Sequence, residues 1–243
     1  HATSIEGLRV SIAAGIDGIQ HPELLDGREM PDDLVTAIRD RGLYCSMLAS
    51  TITGPAWKRH LKTKDEVENK RAEAEKEGRL PAREKTTAEK RKEAAEVGED
   101  LEMRRKNAQK LIRAGCRVTP GTDSYWAAAP ELTRTPKFPE QDHGLGTIIA
   151  IEGLVELGMS PAQALVAATR NGAMAARGLD EFGTIEAGKR ADLLILSADP
   201  LADIGNIRRV AAVWKDGVLI DRGRLPQTRG LSVAPPTKPG TQQ

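Results

Sequence analysis

Two imidazoles and one carboxylate are the groups in this sequence that could do chemistry together: His1 in "HATSIE", His21 in "IQHPELLD" and Asp123 in "RVTPGTDSYW". Neutral imidazole nitrogens and a carboxylate oxygen suit a borderline divalent ion such as Zn²⁺, for which they form a partial ligand set. A strand-end histidine is also an ordinary structural residue, so spacing alone leaves both readings open. What the three share is the position that the surrounding sequence gives them.

His21 closes a short apolar run over 16–20, and Asp123 follows the run "CRVTPG", in which Val118 and Thr119 precede Pro120 and Gly121. His1 stands directly before a helix-type segment, so it is expected to end a strand whose body is absent from this sequence. Residues 4–14 place apolar side chains at 5, 8, 12 and 13, a helical spacing, and Gly15 follows as a stop. Residues 32–41 repeat the pattern with an apolar face at 34, 35 and 38, then Gly42, then a strand over 43–48. Helix and short strand in alternation predict parallel β/α units. In such an array the carboxyl ends of the strands open into one mouth, and all three candidate residues occupy that end.

Between the second and third strands, residues 58–113 hold 18 basic and 13 acidic side chains with the signs mixed. This composition predicts a solvated helical excursion, split near Gly78 to Pro81. Its second part carries a stripe of Val97, Leu101, Ala108, Leu111 and Ile112 that could dock on the sheet. A nucleic-acid or partner arm is the lesser reading; aromatic interleaving is absent, since Trp57 is the only aromatic residue nearby. His60, beside Lys58, Arg59 and Lys62, reads as solvated.

Residues 124–143 read as a loop. Tyr125 and Trp126 are candidates to wall a substrate pocket or to pack at its rim, and His143 is a candidate substrate contact or a solvated loop histidine. Helices are expected at about 144–157 and 160–176, the second with Ser160 as cap and Pro161 at its first position. From 183 the pattern changes to short β segments, "GTIEAG", "ADLLILS", "VAAVWKDG" and "VLIDRG", with a tight-turn signal at Lys215-Asp216-Gly217. Residues 226–243, rich in Pro, Thr, Gly and Gln, read as a disordered tail.

Lys plus Arg total 36 against 35 for Asp plus Glu, so no global field points to nucleic acid or an anionic membrane. No run approaches the ~20 apolar residues of a membrane span. Cys45 and Cys116 lie in apolar runs without a CxxC pattern and are expected to be buried, unpaired thiols. The first residue is His rather than Met, so processing or truncation is expected to have removed something.

The stretches "HATSIEGLRVSIAAGIDGIQHPELLD" (1–26), "NAQKLIRAGCRVTPGTDS" (107–124) and 153–220, with "KRADLLIL", "ADPL" and "KDG" in order, together resemble the carboxyl-terminal half of metal-dependent amidohydrolases. The similar branch is the one holding imidazolonepropionase and the prolidase-like dipeptidases. The resemblance implies an α/β fold: the C-terminal half of a (β/α)₈ barrel over 1–182, and over 183–225 part of a small β-sandwich completed by strands from upstream. It implies that His1, His21 and Asp123 bind or serve a divalent metal, by default zinc. Asp123 is similar to the acid ending strand eight, which holds the attacking water and shuttles its proton. The activity implied is hydrolysis of a carbon–nitrogen bond in a cyclic amide or dipeptide-like small molecule.

The family's His-x-His pair and its strand-four ligand do not occur here: the four histidines are His1, His21, His60 and His143. Gln20 stands where the family commonly has an acid. The chain alone is therefore expected to be inactive, its partner being the missing N-terminal half of the same protein; a homo-oligomer is compatible with this reading. Two other functions compete: a non-catalytic fragment or pseudoenzyme serving as a binding module, and a ring deaminase. Against the deaminase, the "HxxE" pattern of those relatives is absent, since the first acid after His1 is Glu6.

Overall fold

A computed structural model describes residues 1–78, 99–124, 138–142 and 144–225 of the 243-residue chain. Three helix-to-strand units build the first part: α1 (Ile5–Ala13) into β1 (Gly18–Gln20), α2 (Asp32–Asp40) into β2 (Tyr44–Met47), and α4 (Glu99–Arg113) into β3 (Arg117–Pro120). α3 (Gly54–Lys76) lies between β2 and α4. Each unit turns the same way. Gly15, Gly42 and Gly115 hold left-handed backbone at φ 79°, 63° and 79°, where other residues are strained. In the second and third units the next N–H reaches back five residues, Leu43 to the Ile38 carbonyl and Cys116 to that of Leu111, which closes the helix end.

The strands form a parallel sheet in the order β1-β2-β3, with Ile19 opposite Cys45 and Cys45 opposite Val118. Ile19, Cys45, Met47 and Val118 are buried, and Leu8, Ile12, Leu34, Val35 and Ile38 cover them from α1 and α2. Of the positions that the apolar spacing marked, 8, 12, 34, 35 and 38 are buried, Ile5 is half-buried and Ala13 is exposed. Both cysteines are buried and unpaired, as expected. No helix among the described residues is long and apolar enough to cross a membrane.

The charged excursion is helical where it is described. Beyond His60, α3 is largely exposed, and it ends before Gly78. In α4, Ala108 and Leu111 are fully buried against the sheet, so the docking stripe holds there; Val97 lies outside the described residues. His60 departs from expectation. It is buried, with its ring centroid 4.7 Å from that of Trp57 and Nε2 3.3 Å from Glu102 Oε1. The neighbouring Lys and Arg residues suggested solvent, but helical phase turns His60 inward while Lys58 and Lys62 point out and Arg59, half-buried, pairs with Glu140.

α5 (Leu145–Glu156) packs on the 3₁₀ turn Ala49–Thr51, and α6 (Pro161–Val166) opens with a reciprocal cap between Ser160 and Gln163. A π-helical segment, Ala167–Asn171, joins α6 to α7 (Gly172–Ala175), and Asn171 Nδ2 donates to the Val118 carbonyl at 3.0 Å, tying these helices to β3. Gly153 is a close point of α5. A Cβ there would fall on Thr53 Oγ1 and lie 3.2 Å from the Ala49 carbonyl, while Thr53 Oγ1 already donates to that carbonyl at 2.6 Å. Gly153→Ala is therefore expected to cost about 1–3 kcal/mol, outweighing the ~1 kcal/mol that alanine gains in a helix. A thermal melt reads this directly, and an unchanged or raised midpoint would show that the contact yields.

The second sheet is antiparallel: β4 (Leu193–Leu196), β5 (Val210–Lys215) and β6 (Val218–Leu219), in that order. Asp216 and Gly217, at φ 49° and 79°, make the expected tight turn between β5 and β6. "GTIEAG" is not a strand. Residues 183–188 instead make turns, with Gly183 and Gly188 at φ 100° and 88° and Ile185 89% exposed. "VLIDRG" forms only the short β6 before a 3₁₀ turn at Arg222–Arg224. Residues 226–243 lie outside the described residues.

Candidate functional site

His21 and Asp123 sit at the carboxyl ends of strands in one parallel sheet, where the sequence puts them. The His21 N–H still pairs with the Ser46 carbonyl at 3.1 Å, so the ladder holds its backbone before the chain leaves the sheet. The Gly121 N–H does the same for β3, donating to the Met47 carbonyl at 2.7 Å. A Cβ at Gly121 would lie 2.7 Å from Ser46 Oγ, so only glycine lets the chain hug β2 on its way to Asp123.

Both residues carry left-handed backbone, φ 58° at His21 and 47° at Asp123, which side-chain-bearing residues seldom adopt. Strain of this kind clusters where geometry serves function. Here it turns each chain out of the strand direction at the mouth. Nothing in the residue pattern announced it, although His and Asp tolerate this region better than most.

His1 and His21 come together. Their ring centroids are 4.8 Å apart at an angle of 53°, and His21 is 6% exposed while His1 faces solvent. His21 Nδ1 is buried and has no hydrogen-bond partner among the described residues. A buried, unpartnered ring nitrogen beside a second imidazole fits two corners of a divalent-cation site. Asp123 is exposed at the same sheet end, but β2 separates β3 from β1, which sets the strands roughly 10 Å apart. Among the described residues no three His, Cys, Asp or Glu side chains gather as a metal site. Tyr125, Trp126 and His143 lie outside the described residues.

The loop after His21 fixes the pair. Leu25 N–H donates to the Thr3 carbonyl at 2.9 Å and Ile5 N–H to Asp26 Oδ2 at 3.2 Å, docking the His1 segment on the His21 loop. Arg28 reinforces this by bonding both Asp26 and Glu6, and its hydrogen bond holds the Glu6 carboxyl down to about 2.

Beneath lies a buried polar set that the sequence did not reveal. Glu23 Oε1 accepts from Leu48 N–H and from Arg104, each at 3.2 Å, and Arg104 also donates to Thr51 Oγ1 at 2.8 Å. Asn107 bonds the same loop. An acid two residues past a candidate ligand, Glu23 in "HPELLD", was the available signal.

An imidazolonepropionase of Geobacillus sp. (strain WCH70) is 33% identical over 123 residues, covering 49% of this chain and 26% of that protein. One of Brevibacillus brevis is 32% identical over the same length. The chain thus spans about a quarter of the length of the curated relatives it matches. Among solved structures, phenylurea hydrolase B superposes with a TM-score of 0.69 at 26% identity, covering 97% of this chain and 45% of that one. A Xaa-Pro dipeptidase gives 0.60 at 25%, covering 90% and 43%. Molinate hydrolase, at 24% identity and a TM-score of 0.69 over 100% of this chain and 46% of its own, shares the fold, the barrel-like fold of the amidohydrolase superfamily. With a family match running from residue 1 to 220, through the paired histidines, Asp123 and the second sheet, the chain belongs to the amidohydrolase family.

Proposed function

We propose that this chain is the carboxyl-terminal part of a metal-dependent hydrolase that cleaves a carbon–nitrogen bond in a small cyclic amide, dipeptide-like or urea-like substrate. The observation that carries the reading is the His1–His21 contact with its buried, unpartnered Nδ1. The family membership and the names of the relatives support the reaction class.

His1 and His21 would hold the cation, and Asp123 stands at the same end of the sheet, two strands along from His21. A bound divalent ion supplies Lewis acidity and lowers the pKa of water from 15.7 toward ~7. Asp123 accepts the proton of the attacking water on its carboxylate. It then returns that proton to the leaving nitrogen as the carbon–nitrogen bond breaks. An exposed carboxylate on a rigid strand end suits both transfers.

The remaining ligands, and the rest of the barrel, are inferred to lie on chain outside this sequence. The first sheet has strand edges at β1 and β3. In the second, Ile195, Trp214 and Leu219 are exposed on one face and Leu194 and Val218 on the other. Apolar side chains on both faces of a three-stranded sheet support its completion by further strands, residues 183–225 forming one portion of a sandwich and 1–182 one portion of a barrel.

The test is to purify the complete protein, measure its metal content, and assay amine release from cyclic amides, Xaa-Pro dipeptides and phenylureas with and without chelator. Metal-dependent turnover lost in His21→Ala is expected. A complete protein that takes up no divalent cation would overturn the reading.

A further inference from the structure

The loop from His21 to Met30 leaves the sheet without regular structure, so its backbone polar groups need partners from elsewhere. One side chain supplies three of them. Asn107, 1% exposed on α4, accepts at Oδ1 from Met30 N–H at 2.8 Å and donates both amide hydrogens, to the Glu23 carbonyl and the Arg28 carbonyl at 2.9 Å each. Its full donor capacity is used on one loop, and the bonds span 77, 84 and 79 residues of sequence.

That loop carries His21 at its first residue. Its middle holds the His1 segment, through the Leu25 bond to Thr3 and the Asp26 bond to Ile5. The relative placement of the two imidazoles therefore passes through a loop whose two ends Asn107 clamps. α4 is the returning limb of the charged excursion, so this clamp also gives that excursion a task at the site.

We propose that Asn107 is a positioning residue that sets the geometry of the His1–His21 pair. The proposal rests on the reading that this pair holds a divalent cation, and it extends that reading to a residue remote from the mouth in sequence. Groups that orient ligands typically influence metal affinity 10- to 100-fold. Asn107 orients them through the loop backbone, without touching the cation or the substrate.

The test uses the complete protein titrated with Co²⁺, followed by its visible ligand-field bands, and with Zn²⁺ against a competing chelator. Asn107→Ala is expected to weaken both ions about 10- to 100-fold and to shift the cobalt bands. Asn107→Asp keeps the acceptor for Met30 N–H and loses both donors, so it should fall between. Leu154→Ala, a fully buried change on α5, serves as a matched destabilisation and should bind metal as the unaltered protein does, with circular dichroism confirming that all variants are folded.

A second readout needs no metal. The ring-to-ring proton contact between His1 and His21 by NMR should persist in Leu154→Ala and vanish in Asn107→Ala. Unchanged affinity and an unchanged ring contact in Asn107→Ala would overturn the proposal while leaving the metal reading intact. Equal losses in Leu154→Ala would overturn it too, by assigning the effect to stability. Absence of cobalt binding by the unaltered protein would instead sink the metal reading, and the ring contact alone would then decide whether Asn107 positions the pair.

Discussion

Asp123→Asn in the complete protein is expected to lower turnover by about 10²–10⁴ and to leave the melting midpoint nearly where it was. The chemical half of this follows from the loss of a group able to accept a proton at the mouth of the sheet. The structural half follows from exposure and backbone conformation. Asp123 is solvent-facing, and surface changes of that kind stay within about 0.5 kcal/mol. Asparagine is the right replacement because Asn and Asp share a tolerance for left-handed backbone, and position 123 sits at φ 47°. Alanine would add strain and confuse the result. Metal content, measured on the same sample, then separates two roles: full metal with lost turnover marks a proton carrier, and lost metal marks a ligand. Turnover within threefold of the unaltered protein would remove Asp123 from the reaction.

The repeating units were legible because they obey periodic rules. The apolar positions 34, 35 and 38 all proved buried, and Gly15, Gly42 and Gly115 each turn a helix into a strand. Since strand ends in such an array share one mouth, the sequence alone assigns His21 and Asp123 to it. What periodicity does not encode is the pairing of residues far apart in sequence. Arg104 sits in a run of charge that reads as solvated, yet it is buried because Glu23, 81 residues earlier, and Thr51 meet it there. His60 misled for the same reason: its neighbours in sequence are cationic, but its neighbours in space are Trp57 and Glu102. The strand expected over 183–188 failed on local chemistry, because glycines at both ends bend the segment and Ile185 is left exposed.

The Glu23–Arg104 pair carries the largest expected effect on stability. Glu23 is fully buried and Arg104 nearly so, at 3.2 Å. Arg104→Met leaves the carboxylate with the Leu48 N–H as its partner in a low-dielectric interior, where an uncompensated charge costs about 3–5 kcal/mol. The pair itself is imperfectly satisfied, since Glu23 Oε2 and Arg104 Nε have no hydrogen-bond partner among the described residues. Its desolvation is thus incompletely offset, and removing both charges should cost less than removing one. Glu23→Gln keeps an acceptor for Leu48 N–H, so the double variant Glu23→Gln/Arg104→Met should be more stable than Arg104→Met alone. Urea unfolding of the four proteins measures the coupling directly. Additive losses would mean that the two groups do not sense each other, and an Arg104→Met protein within about 1 kcal/mol of the parent would mean that water reaches Glu23. A large positive coupling would establish that the loop leaving His21 is anchored by charge as well as by the Asn107 amide, and that both anchors come from α4.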